Sequence, residues 1–233
     1  MGSVDLSKNC EEINGLRLQT RDIPVAYHRC PACGLIFSTA FDDFSASDFK
    51  AHIYNDDYVQ VDPEITAERP EKCATLLINC FGHARDSLRI LDYGSGNGAL
   101  VDLLRSAGFA NVHGYDPFLG QDGAQPNGPF DLILCFEVME HSPTPQDLAT
   151  ALNRLRADTG IIFYSTLIQP DNIDTLGLNW WYLAPRNGHI TLHSAQSLPL
   201  LWQNCGLRHA SASDSIHIAY DQIPDFARNL FGA

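Results

Sequence analysis

The chain is 233 residues long, enough for one main domain with a substantial core and a small appendage. Its 28 Asp and Glu outnumber 15 Lys and Arg, and the formal charge of -13 repels phosphate backbones and anionic lipid, so neither nucleic acid nor a membrane is an expected partner. With no apolar run of about eighteen residues, no basic-then-apolar leader, no Ser or Thr at position 6 and seven scattered cysteines, the sequence predicts a cytoplasmic protein.

Residues 1–65 carry scattered aromatics and little sustained periodicity, which predicts a loop-rich module. Within it, "YHRCPACGLIF" places Cys30 and Cys33 around a turn followed by Gly34, the spacing by which two thiolates converge on one metal. A four-ligand structural zinc site would need Cys10 and one further group, for which His52 and His28 are the candidates. The remainder, residues 66–233, opens with a helical pattern to residue 81 that sets Cys73, Leu76, Leu77 and Cys80 on one face as core.

From Leu88 onward, short apolar strands alternate with helical patterns: "LRILDY", "ALVDLLRSAG", "NVHGYD", "FDLILCFE", "QDLATALNRLRA" and "GIIFYST". That alternation predicts an α/β fold, a parallel sheet with helices on both faces. Right-handed crossovers then bring the strand C-terminal ends to one edge, where ligands bind. Residues 166–193 form a 28-residue connection, the length of a lid or binding loop. Trp180, Trp181 and Tyr182 would give it a flat apolar wall, Arg186 an anion clamp, and His189 or His193 a proton acceptor on the acceptor-substrate side. "SAQSLPLLWQNCG" reads as a helix capped by Ser194 and stopped by Gly206, ahead of two last strands.

In "RILDYGSGNGALVDLL" the alternate glycines Gly94, Gly96 and Gly98 let the backbone turn tightly and let a ligand lie directly on the peptide groups. Taken alone, the loop also fits the G-x-G-x-x-A fingerprint of a dinucleotide fold. Its neighbours narrow the choice. Asp92, at the strand end, would orient the loop or accept a bond from a cationic ligand. Asp116 follows Gly98 by 18 residues, at the strand end from which an acid reaches both ribose hydroxyls. "LCFEVMEH" supplies Phe136, Glu137 and His141 to the same edge.

The run Asp92-Tyr93-Gly94-Ser95-Gly96-Asn97-Gly98 resembles the first motif of the class I S-adenosylmethionine-dependent methyltransferases, and "FDLILCFEVMEHSPTP" resembles the fourth-strand motif of their ubiquinone-biosynthesis-like branch. The resemblance spans Leu88 to the C-terminus and implies a Rossmann-like, seven-stranded, mostly parallel sheet. It also implies that the donor's methionine part lies near Asp92, Tyr93 and Gly94, its ribose at Asp116, and its adenine beside Pro117, Phe118, Phe136 and Glu137, with Gly96, Asn97 and Gly98 completing the cradle. Related methyltransferases carry an N-terminal zinc module with two Cys pairs, whereas this chain has one pair and Cys10.

The donor's ribose diol, aromatic base and sulfonium suit an acidic site without a pyrophosphate clamp. Methyl transfer is an in-line displacement, and an oxygen nucleophile also needs a base, for which His141 and His189 are the candidates. The expected acceptor is a small molecule such as a sugar or natural-product precursor. Two other readings stand beside this one. An NAD-dependent oxidoreductase leaves Asp92 unexplained, and a non-catalytic zinc-bearing adaptor leaves the nucleotide site without purpose.

Overall fold

The computed structural model describes residues 1–118 and 126–232. The chain begins with β1 (Gly2–Asp5), antiparallel to β2 (Pro24–Arg29), which in turn pairs with β3 (Ile36–Phe37). Along β2, Val25 and Tyr27 are buried while Ala26 and His28 are exposed, the period-two pattern of a half-buried strand. Helix α1 (Ala46–His52) opens with a capping box: Asp48 N donates to Ser45 Oγ, and Ser45 N donates to the Asp48 carboxylate. The short α2 (Tyr58–Val61) leads to α3 (Glu68–Phe81), which buries Ala74, Leu77 and Phe81 at helical spacing. Cys73, Leu76 and Cys80 pack partly buried against the same core.

The main sheet is built from β4 (Arg89–Tyr93), β5 (Asn111–Tyr115), β6 (Phe130–Cys135) and β7 (Arg156–Ser165), with α4 (Ala99–Ser106) and α5 (Pro145–Leu155) between them. After β7 come α6 (Ile173–Leu176), β8 (Thr191–Leu192), α7 (Ser197–Gln203), β9 (Arg208–Ser211) and β10 (Ile216–Tyr220). The strand order is β5-β4-β6-β7-β10-β9: the first four strands are parallel, and β10 runs antiparallel to both β7 and β9. The sheet is therefore Rossmann-like but mixed, with six strands among the described residues rather than the expected seven.

Alternation along the strands assigns the two cores. Ile90, Leu132, Leu134, Ile161, Phe163 and Ile218 face α3 and α4, whereas Leu91, Ile133, Cys135, Ile162, Tyr164 and Ala219 face α5 and α7. Both faces are covered, so every strand in the middle of the sheet is apolar on both sides.

A third core lies over the C-terminal edge and is shared by two distant parts of the chain. Leu6, Val25, Tyr27, Ile36, Phe41, Phe49 and Ile53 pack with Ile173, Trp180, Tyr182, Leu183, Ile190 and Leu192. Strand β8, from the long connection, completes the small sheet by pairing with β3 through Ile36–Leu192 and Phe37–Thr191. Lys8 Nζ donates to the carbonyls of Trp180 and Leu183, and Tyr27 Oη donates to His189 O at 2.6 Å. Residues 166–193 thus fold as one body with the N-terminal segment. Among the described residues no helix is long and apolar enough to cross a membrane.

Tyr27 ties the small sheet to the connection by a buried bond. Tyr27→Phe leaves the His189 carbonyl unsatisfied and is expected to cost about 1–3 kcal/mol in urea unfolding, with little change in the unfolding slope.

Candidate functional site

The glycine loop is stitched to the end of β5 by backbone bonds. Gly94 N and Ser95 N both donate to Tyr115 O, at 2.7 and 3.1 Å. Gly96 N donates to Asp116 Oδ2 at 3.0 Å and Phe118 N to Asp116 Oδ1 at 2.8 Å, so the carboxylate is oriented by two peptide groups. Asn97 Oδ1 accepts from Ala99 N at 3.1 Å and steadies the entry to α4. Two glycines are required for different reasons. Gly94 has φ 84°, and a Cβ there would lie 2.4 Å from Val138 Cγ2, so any side chain would press the loop against the turn that follows β6. Gly96 has φ 52°, and a Cβ there would meet no atom within 4 Å, which leaves bare backbone facing open space. Beneath the loop, Asp92 is buried, and its carboxyl is pushed up to about 7 by burial and by the charge of Asp116.

Of the residues expected to border the base, Phe118 is walled by the N-terminal segment. The Phe118 ring, 37% exposed, meets Phe49 of α1 and Tyr54, each at 5.5 Å between centroids. Phe136 packs edge-on to Phe163 at 5.9 Å, with its ring on the α3 side of the sheet. Pro117 stands between Asp116 and Phe118 on the β5 exit, and Tyr93 packs on Tyr115 at 5.3 Å.

Beyond β6 the chain makes a strained turn. Glu137 adopts φ 52°, unusual for a residue with a side chain, and Ser165 at the end of β7 holds it there. Glu137 N donates to Ser165 Oγ at 2.8 Å, and that hydroxyl donates to Glu137 Oε1 at 2.7 Å. Burial and the neighbouring Glu140 push the Glu137 carboxyl up to about 7. Glu140 itself is fully buried: Oε1 accepts from Tyr182 Oη at 2.5 Å, while Oε2 has no hydrogen-bond partner. Burial raises its pKa.

Two histidines close on this carboxylate. His141 Nδ1 lies 3.0 Å from Gly188 O, and His189 Nδ1 lies 2.7 Å from Tyr182 O. A carbonyl only accepts, so Nδ1 carries the proton in each ring and Nε2 carries the lone pair. Burial lowers both pKa values, that of His189 well below the usual range with help from His141, so both rings are neutral. Their centroids are 5.1 Å apart. One donor atom from each of Glu140, His141 and His189 lies within 4.8 Å of the others.

The residues expected to face the acceptor separate. Tyr182 and His189 join His141, but Trp180 is buried in the third core and Trp181 is 39% exposed on its outer side. Arg186 points its guanidinium at Ile53 O and Asn55 Oδ1. His193 is buried with Nδ1 3.3 Å from Ser197 Oγ, beside His209 and His217 rather than His141. Sequence reasoning misses Glu140, although two acids and a histidine within "EVMEH" were the available signal. Tyr54, Phe49 and Ser165 carry no local signal, because their roles arise from packing.

The expected zinc ligands do not converge, which corrects the four-ligand site. Cys30 and Cys33 stay together on the β2–β3 turn, where the backbone N–H groups of Cys33 and Ala32 lower the Cys30 pKa. Cys10 N donates to Asn187 Oδ1 at 2.9 Å, and Cys10 Sγ lies 3.8 Å from His189 Nδ1, so its place is on the 187–189 turn. His52 packs on Phe44 at 5.8 Å and His28 on Phe37 at 5.7 Å. Among the described residues, Glu140, His141 and His189 form the one group of three or more metal-ligand side chains with convergent donor atoms.

Residues 65–212 match the family model described as a methyltransferase domain. The chain is similar to the ubiquinone biosynthesis O-methyltransferase of Colwellia psychrerythraea at 31% identity, over 34% of this chain and 42% of that protein. It is also similar to that of Burkholderia multivorans at 30% identity, over 34% and 44%. The aligned stretch spans less than half the length of these curated relatives. An O-methyltransferase family protein from Burkholderia thailandensis shares the fold, with a TM-score of 0.52 at 11% identity over 78% of this chain and 64% of that one.

Asp92 has a consequence for stability. Its carboxyl titrates near 4 when unfolded and near 7 when folded, so between those values the folded state holds a proton that the unfolded chain has released. Stability of the ligand-free protein therefore falls as pH rises from about 4 to about 7. Asp92→Asn is expected to remove the Asp92 share of that fall, leaving that of Glu137, and to gain on the order of 2–4 kcal/mol at pH 8 relative to pH 4, read as a flatter profile of Tm against pH. An unchanged profile would place the Asp92 carboxylate in a solvated setting.

Proposed function

This chain belongs to the methyltransferase-domain family, and we propose that it transfers a methyl group from S-adenosylmethionine to a hydroxyl oxygen of a small-molecule acceptor. The observation that carries this reading is the placement of two chemically distinct half-sites on one sheet edge. On one side bare glycine backbone at Gly96 faces open space beside an acid oriented by two peptide groups; on the other, Glu140, His141 and His189 converge. The oxidoreductase and adaptor readings give way to the family match.

The residues present fit the donor. Asp116, aligned by Gly96 N and Phe118 N, is suited to a ribose diol. Asp92 and Tyr93 at the end of β4, with Gly94, Gly96, Asn97 and Gly98, would hold the amino acid end and the sulfonium. Pro117, Phe118, Phe136 and Glu137 would border the base. When bound, the donor supplies an electrophilic methyl carbon. The acidic lining attracts its positive charge and holds the neutral thioether left after transfer less strongly.

The second half-site is built to receive positive charge. His141 and His189 are neutral with Nε2 lone pairs, and Glu140 Oε2 is a buried acceptor without a donor. These groups can take a proton from the acceptor hydroxyl, with the histidines as base. They can also hold a divalent cation that acidifies the same hydroxyl. The convergence of one carboxylate and two imidazole donor atoms within 4.8 Å favours the cation, since that donor set suits a divalent transition metal. Tyr182 Oη and the two carbonyls on the Nδ1 atoms would fix the orientation of all three groups.

Asp116→Ala is expected to weaken adenosylhomocysteine binding by about 1.5–3 kcal/mol in calorimetric titration, because charged hydrogen bonds to a ribose are lost. Unchanged affinity would remove Asp116 from the site.

On the acceptor side, chelation with EDTA and the variant Glu140→Gln are both expected to lower turnover by about a hundredfold or more while leaving adenosylhomocysteine affinity intact, and added Mn²⁺, Fe²⁺ or Zn²⁺ should restore the chelated enzyme. Turnover indifferent to EDTA but lowered about a hundredfold by His141→Ala or His189→Ala would assign the two imidazoles as base alone.

A further inference from the structure

Arg186 takes no part in the methyl-transfer site, and its surroundings are unusual for a cation. It sits on the turn Pro185–Asn187 with 1% of its surface exposed. Nη1 donates to Ile53 O at 2.8 Å and Nη2 to Asn55 Oδ1 at 2.9 Å, but Nε is buried without a partner. Among the described residues neither Arg186 nor Arg21 forms an ion pair. Burial disfavours the charged Arg186 most, the like charge of Arg21 adds to it, and Tyr58 and Asp57 offset part of both. Burying a cation without a direct ion pair costs folding free energy, part of which a bound anion would recover.

Both arginines line one cavity of about 250 Å³, together with Gln19, Thr20, Asp57 and Gln60. Asp57 is the single acid on its wall, and its Oδ1 already accepts from Gln60 Nε2 at 3.0 Å. Two guanidinium groups against one carboxylate leave the cavity positive on a chain whose formal charge is -13. The volume falls below the usual range of nucleotide-sized and drug-sized sites, which begins at about 300 Å³. Planar guanidinium groups pair with carboxylate and phosphate oxygens through two parallel bonds.

We propose that this cavity is an anion site that takes a small oxyanion, a phosphate or carboxylate group, between Arg21 and Arg186. Its occupant would also steady the wall of the methyl-transfer site. Ile53 and Asn55, which Arg186 holds, flank Tyr54, and the Tyr54 ring meets Phe118 at 5.5 Å and His141 at 5.9 Å. The proposal stands on the cavity and its unpaired cations and does not depend on the identity of the methyl acceptor.

Arg21 offers the clean variant, because its backbone N–H, not its side chain, anchors the segment by donating to Asp5 Oδ1 at 3.0 Å. Calorimetric titration of the whole chain, in chloride buffer of fixed ionic strength, uses inorganic phosphate in one arm and succinate in the other. One saturable site per chain is expected for at least one of them, weakened about tenfold or more in Arg21→Ala with adenosylhomocysteine affinity unchanged. Saturation by phosphate alone would identify a phosphoryl ligand, and saturation by succinate alone a carboxylate. No saturable heat from either anion, or equal affinity in Arg21→Ala, would overturn the proposal.

Discussion

A carboxylate sealed from water constrains everything around it. Glu140 has no exposed surface, and a charge in that position is tolerated only where donors or cations meet it. Tyr182 supplies one donor, and it can do so because the connection after β7 is packed down beside the turn that follows β6. The same packing sets Gly188 O and Tyr182 O against the Nδ1 atoms of His141 and His189, which turns both lone pairs to Nε2. One buried acid, one phenol and two carbonyls thereby define the tautomers and positions of both imidazoles.

The other half of the site is organised by backbone rather than by side chains. Peptide N–H groups aim Asp116, the Tyr115 carbonyl gathers the glycine loop, and Val138 fills the space that a side chain at position 94 would need. A frame fixed by backbone bonds has little freedom left to lose on binding, which lowers the cost of binding. It is held at some cost to the empty protein. Asp92 and Glu137 both have raised pKa values because burial penalises their charged forms, and Glu137 adopts a backbone conformation that a side chain disfavours. Strain and desolvation are concentrated where a cationic ligand would relieve them.

The N-terminal segment is part of the site's architecture. Phe49 and Tyr54 wall Phe118, Tyr27 bonds the His189 carbonyl, and Cys10 occupies the 187–189 turn. Strand β8 joins β3 across about 155 residues of chain, so the small sheet exists only when both parts are folded together. The two halves of the site are thus contributed by a local frame, which the strand ends supply, and a distant cover, which the third core holds in place.

Local information was enough for the frame. Continuous apolar runs such as Ile90 to Leu91 and Leu132 to Cys135 encode strands buried on both faces, and the spacing of Asp92, the glycines and Asp116 encodes a strand, a tight turn and a second strand end. Such features depend on residues a few positions apart, so the sequence alone determined them. Tertiary structure decided the rest. Residues 166–193 are apolar and aromatic whether they form a mobile wall or a buried core, and only pairing of β8 with β3 distinguishes the two. That pairing carried Arg186 and His193 away from His141 while bringing His189 and Tyr182 to it, and it drew Cys10 away from Cys30 and Cys33. Contacts between segments more than a hundred residues apart are set by which faces can be buried together, a property of the folded whole that no short window of sequence contains.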